Sequence, residues 1–146
     1  MKKILVVDDY APIRLMFSKT LTQQDASYEI LEASNGQEAC ETALEAKPDL
    51  ILMDVMMPVM DGYEALASLK EDPETQAIPV LMLTSLDFPF QQTLGYDLGA
   101  FGCLVKPVRF DELNHRVKLA LDSILPADPH RLPCAANPLL LQLSQA

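Results

Sequence analysis

Four places in the chain carry residues that could do chemistry together. Asp8 and Asp9 stand side by side after the apolar run Ile4-Leu5-Val6-Val7. Asp54 closes a second apolar run, Leu50-Ile51-Leu52-Met53; Thr84-Ser85 closes a third and Lys106-Pro107 a fourth. If these runs are parallel strands, the residues that close them meet on one rim, since open α/β sheets bind ligands outside the carboxyl ends of their strands. Three carboxylates in one crevice repel one another, each pair at ~4 Å costing on the order of 4 kcal/mol at an effective dielectric near 20. Lys106 supplies one compensating charge. A hard divalent cation, Mg²⁺ or Mn²⁺, would supply two, and Mg²⁺ typically takes one or two carboxylates plus a phosphate. A carboxylate can also act as a nucleophile and form an aspartyl-phosphate. Phosphoryl transfer needs positioning and charge neutralisation more than covalent help. Asp54, alone at a central strand end, is the candidate nucleophile. Asp8 and Asp9 form the metal half, while Lys106 and the Thr84 hydroxyl are placed to hold phosphoryl oxygens.

The elements that would bring these residues together are legible in the hydrophobic pattern. Short apolar runs alternate with amphipathic stretches five times over. Strands are expected at Ile4–Val7, Tyr28–Ala33, Leu50–Met53, Val80–Leu83 and Gly102–Val105. Three of them are nearly all apolar, as strands covered on both faces are. Between them, Pro12 suits the first turn of a helix. Asn35 with Glu38, and Asp61 with Glu64, read as N-caps three residues ahead of an acid. Pro48 and Pro73 follow the ends of those two helices. A fourth helix is expected over roughly Phe90–Leu98. A fifth runs from about Phe110 to Leu125, with Leu113, Val117, Ala120, Leu121 and Ile124 on one face. The alternation predicts an α/β fold: a (βα)₅ doubly wound parallel five-stranded sheet in the flavodoxin-like order 2-1-3-4-5.

Length and charge narrow the function classes. A chain of 146 residues predicts one domain with modest extras, here residues 1–125, followed by a Pro-rich linker or tail over 126–146. A net charge of −10 argues against direct contact with nucleic acid, whose phosphates select basic faces. Cys40, Cys103 and Cys134 have no metal-ligand spacing and form no obvious disulfide framework, which fits a cytoplasmic location. No stretch approaches a membrane span, and the first apolar run is too short for a signal peptide.

With these residues in place, the chain resembles a response-regulator receiver domain of two-component signalling. The resemblance rests on Asp8-Asp9, on Asp54 within Leu52-Met53-Asp54-Val55-Met56-Met57-Pro58-Val59-Met60-Asp61-Gly62, on Thr84-Ser85 and on Lys106-Pro107. It covers about Lys2 to Ser123. It implies that Asp54 receives a phosphoryl group from a histidine kinase or a histidine phosphotransfer protein. It also implies that Asp9, Asp54 and the backbone carbonyl of Met56 bind Mg²⁺ directly, with Asp8 acting through water. A downstream protein target or a covalently following output domain would read the switch. The Lys106–Pro107 bond is expected to be cis. Where the family usually has Tyr or Phe as the switch aromatic, this chain has Cys103; Phe101, expected on the same strand face by alternation, is the candidate substitute. Met56 and Leu86, at positions that tune phosphate lifetime in the family, are both apolar and point to a long-lived phosphoryl state.

Other readings fit less well. A flavodoxin needs a hydroxyl- and glycine-rich phosphate loop after its first strand, where Asp8-Asp9 would repel the phosphate. A haloacid-dehalogenase-type phosphatase needs a second acid two residues after its nucleophile, where this chain has Met56. No GxxxxGK[ST] loop is present. The runner-up is a receiver-like protein-interaction module that works without phosphorylation, motivated by Cys103. Phe88-Pro89-Phe90 is a further candidate partner patch.

Overall fold

The computed structural model describes residues 1–85 and 96–122. Five strands, β1 (Lys3–Val7), β2 (Glu29–Ala33), β3 (Leu50–Asp54), β4 (Val80–Ser85) and β5 (Gly102–Lys106), form one sheet in the order β2-β1-β3-β4-β5. Every pairing is parallel. The expected topology therefore holds. Strands β3, β4 and β5 each extend one or two residues past the apolar run, so Asp54, Thr84, Ser85 and Lys106 belong to the last rungs of the ladder rather than to the loops beyond it.

Alternation along these strands builds two cores, one on each face. Leu5, Val7, Ile51, Met53, Val80, Met82 and Cys103 pack with Ala39 and Ala43 of α2 (Gly36–Ala46) and with Ala65, Leu66 and Leu69 of α3 (Gly62–Glu71). Ile4, Val6, Leu50, Leu52, Leu81, Leu83 and Leu104 pack with Phe17 and Leu21 of α1 (Ala11–Gln24) and with Leu113, Val117 and Ala120 of α4 (Phe110–Asp122). Both faces of β3 are buried, which is why its five residues carry no polar group until Asp54.

The caps follow the sequence signals. Asn35 accepts a hydrogen bond from the Glu38 backbone N–H, and Asp61 accepts one from that of Glu64. Pro12 lies in the first turn of α1. Helix α2 ends on Lys47 in the left-handed region, one residue before Pro48. Of the helix expected over Phe90–Leu98, residues 86–95 lie outside the described part; Tyr96 and Asp97 are helical. Phe88-Pro89-Phe90, Leu86, the end of the last helix beyond Asp122 and the tail over 126–146 likewise fall outside it.

Candidate functional site

The parallel register sets out the site. Val7 pairs with Met53, Met53 with Met82, and Met82 with Cys103. The next residues along each strand therefore form the carboxyl edge: Asp8, Asp54, then Thr84 and Lys106 one or two rungs further. Asp8, Asp9 and Asp54 each bring a carboxylate oxygen into a cluster whose members all lie within 4.8 Å of one another. Asp8 and Asp54 are buried, at 3% and 4% exposure, while Asp9 faces solvent. The Lys106 ammonium donates to Asp54 Oδ1 at 2.7 Å, with its own side chain 41% exposed. Thr84 is only 1% exposed, and among the described residues its hydroxyl has no hydrogen-bond partner.

Buried carboxylates and unpartnered buried hydroxyls are costly, so their concentration here needs a cause. Burial pushes the Asp8 carboxyl above its ordinary value. The Tyr10 backbone N–H, which donates to Asp8 Oδ1 at 2.9 Å, pulls it back, and the neighbouring charges of Asp54, Lys106 and Asp9 act in alternating directions. Oxygen donors alone, partly neutralised by one lysine, fit a hard divalent cation rather than a soft one.

The loop that leaves Asp54 is held at its base. The Gly62 N–H donates to the Val55 carbonyl at 2.9 Å, and the Gly36 N–H to the Met60 carbonyl at 3.0 Å. A Cβ on Gly62 would stand 2.3 Å from the Asp54 carbonyl oxygen. Close backbone approach, not a positive φ, is what requires glycine there. Val59, a β-branched residue, sits at φ 70° in the same loop, a conformation such residues rarely adopt. Met56 projects its side chain into solvent, which leaves its backbone in the loop bordering the acids. The Lys106–Pro107 bond is cis, as expected.

The structure separates the two switch-position candidates. Cys103 lies within β5 and is buried on the α2/α3 face. Phe101 precedes the strand, and its ring packs in the opposite core with Leu104 and the residues of α1 and α4. The expected same-face placement fails: Phe101 stands before the paired register, which begins at Gly102, and although its N–H donates to the Val80 carbonyl its ring turns to the other core. Phe101 therefore does not occupy the side of the sheet that Cys103 faces.

A doubly wound sheet with an acid cluster, a lysine and an unpartnered hydroxyl on its carboxyl edge defines, as a class, a regulatory phosphoacceptor domain. Comparison with known proteins makes the class specific. The family model described as response regulator receiver domain matches residues 4–118, and the chain belongs to that family. It is 42% identical over 120 residues to the alkaline phosphatase synthesis transcriptional regulatory protein PhoP of Bacillus subtilis, covering 82% of this chain and 48% of that protein. It is 42% identical over 127 residues to the phosphate regulon transcriptional regulatory protein PhoB of Pseudomonas aeruginosa, covering 87% and 55%. The chain thus spans about half the length of these curated relatives. Among solved structures, the chemotaxis response regulator CheY4 of Vibrio cholerae matches with a TM-score of 0.74 at 40% identity, over 83% of this chain and 99% of that one. The signal receiver domain of a signal transduction histidine kinase from Syntrophus aciditrophicus matches with a TM-score of 0.77 at 30% identity, over 90% and 98%. The chain is a phosphoacceptor signalling switch of this family, whose members bind Mg²⁺ at the acidic pocket and are phosphorylated by histidine kinases. The interaction module that works without phosphorylation is not favoured. No helix among the described residues is long and apolar enough to cross a membrane.

Proposed function

We propose that Asp54 is the phosphoacceptor and that the acidic pocket around it is the complete working site. The observation that carries this is the meeting of three carboxylates within 4.8 Å, the Lys106 ammonium 2.7 Å from Asp54, and the buried, unpartnered Thr84 hydroxyl. Asp8, Asp9 and Asp54, with the backbone carbonyl of Met56, would hold Mg²⁺ or Mn²⁺, Asp8 through water. Bound there, the ion neutralises charge on the phosphoryl oxygens.

A carboxylate oxygen of Asp54 attacks the phosphorus of a phosphohistidine. The O–P bond forms as the P–N bond breaks, and the electron pair leaves with the imidazole nitrogen, which takes a proton. Lys106 exchanges its bond to Asp54 for one to the incoming phosphoryl group. The Thr84 hydroxyl donates to another phosphoryl oxygen, which satisfies the group that is otherwise buried without a partner. The domain is a regulatory phosphoacceptor that assists its own phosphorylation and dephosphorylation. The donor is a histidine kinase or a histidine phosphotransfer protein. The exposed apolar side chains of Tyr10, Met56, Val59 and Phe110 all follow the carboxyl ends of strands and give such a partner a surface to dock on beside the acids.

Residues 1–125 act as the receiver and 126–146 as a linker or tail. The switched domain acts, in the cytoplasm, on a protein target or a covalently following output domain, without itself contacting nucleic acid or membrane. Cys103 stands where the family usually has the moving aromatic. The test is intact mass after incubation with phosphoramidate and Mg²⁺, with Asp54→Ala alongside. A gain of one phosphoryl group (~80 Da) in the wild type and none in the variant is expected. No gain by folded wild-type protein would return the choice to the phosphorylation-independent module.

A further inference from the structure

We infer that Arg14 is a positioning residue for the acidic pocket, its guanidinium fixing the Asp8–Asp9 peptide and thereby the place of the Asp9 carboxylate. The inference rests on the metal-binding reading of the pocket given above. Asp8 is held at three points. Its backbone N–H donates to the Ala33 carbonyl of β2 at 3.2 Å, extending the β1–β2 ladder by one bond. Its carboxylate accepts the Tyr10 N–H at 2.9 Å. Its carbonyl, where the ladder stops, accepts from Arg14 Nη1 at 2.7 Å. The same guanidinium donates through Nε to Glu32 Oε1 at 3.0 Å, so the fork is anchored on β2 as well. The Arg14 side chain is only 17% exposed.

Asp9 has no such support. It is exposed, and among the described residues no hydrogen bond or ion pair holds its side chain. Its position depends on its backbone. The peptide joining Asp8 to Asp9 is planar, so an oxygen fixed at one side fixes the N–H and Cα at the other. Arg14 thus reaches the exposed acid through the main chain. Its fixed planar fork can bond a carbonyl and a carboxylate at once, which the single ammonium of lysine does less well.

Charge and position predict opposite signs, which makes the inference testable. A guanidinium near the acids repels a cation, so on charge alone its removal would tighten metal binding. If Arg14 positions the acids, its removal weakens binding, and partners that orient metal ligands are typically worth 10–100-fold in affinity. The experiment is calorimetric titration of the full chain with Mg²⁺, without phosphate or donor, for wild type, Arg14→Gln and Arg14→Lys, each shown to be folded by circular dichroism. The expected result is a dissociation constant raised about tenfold or more in Arg14→Gln and by less in Arg14→Lys, which keeps the charge and loses the fork. A constant equal to or lower than wild type in Arg14→Gln overturns the inference while leaving the pocket a metal site. If Arg14→Gln does not fold, Arg14→Lys decides: wild-type affinity overturns, weaker affinity supports. No binding by the wild type overturns the metal reading itself, and the role of Arg14 with it.

Discussion

Replacing Gly62 with alanine sets two effects of known sign against each other. Gly62 is the first residue of α3 and has no positive φ, so helix propensity alone favours alanine by up to about 1 kcal/mol. The added Cβ, however, would stand 2.3 Å from the Asp54 carbonyl oxygen, 0.7 Å inside the 3.0 Å that real Cβ atoms respect. It would also stand 2.9 Å from Val55 Cα and 3.1 Å from the Asp54 carbonyl carbon. All three neighbours are backbone, so no side chain can swing aside. Overpacking of this kind costs about 1–3 kcal/mol, which outweighs the propensity gain. The net expectation is a loss of about 1–2 kcal/mol, read as a lower urea midpoint at unchanged m. Relief of the clash must also move the end of β3, where Asp54 stands. A displacement near 1 Å at a reacting group can cost on the order of 100-fold in rate. Phosphoryl uptake from phosphoramidate, followed by intact mass, should therefore slow by tenfold or more (an order-of-magnitude figure). A midpoint at or above wild type, with uptake unchanged, would show that the loop yields freely and refute the steric account.

Four further outcomes are expected. Mg²⁺ at about a hundredfold excess over its dissociation constant should stabilise the folded chain by about 2.7 kcal/mol, seen as a raised melting temperature that EDTA reverses and that Asp54→Ala greatly reduces. Burial pushes the Lys70 amine down to about 8, where it donates to the Gln76 and Ile78 carbonyls. The folded chain then holds fewer protons than the unfolded one between about 8 and the ordinary 10.5. Stability from this group therefore rises with pH across that window, and the rise should be absent from the urea midpoints of Lys70→Met. Asn35→Ala should cost about 1 kcal/mol through loss of the α2 cap and leave phosphoryl uptake as in wild type. The apolar Met56 offers no group to orient an attacking water; the phosphorylated protein should persist beyond seconds by intact mass, and Met56→Glu should shorten its lifetime.

The residues of the pocket could be read from the sequence for one reason. In a parallel sheet each buried run ends where the chain first meets the ligand edge, so the polar residue that interrupts an apolar run marks the site. Asp8, Asp54, Thr84 and Lys106 all carry that mark. The N-caps at Asn35 and Asp61 were equally local, each set by a residue three positions away. Phe101 departs from the alternation of β5: its N–H still donates to the Val80 carbonyl, but it precedes the paired register and its ring turns to the opposite core.

The roles of Gly62 and Arg14 depend on backbone contacts eight and six positions away that residue types do not display. Gly62 matters because of a carbonyl eight positions earlier, and Arg14 because of a carbonyl at the end of another element. Nothing in their types or neighbours marks them: a glycine after an aspartate reads as a cap region, and an arginine in a helix reads as a solvated face. Such contacts exist only after the sheet has formed and the loops have been folded back over its edge. The acids of this pocket and the loop after Asp54 are held by hydrogen bonds from the Tyr10 backbone N–H, the Arg14 guanidinium and the Gly62 backbone N–H. A variant that keeps every acid and loses one of these supports should therefore retain its fold and its carboxylates while binding Mg²⁺ poorly. On the proposed function, side-chain identity at the strand ends supplies the switch, and the geometry that completes it belongs to the first turns of α1 and α3.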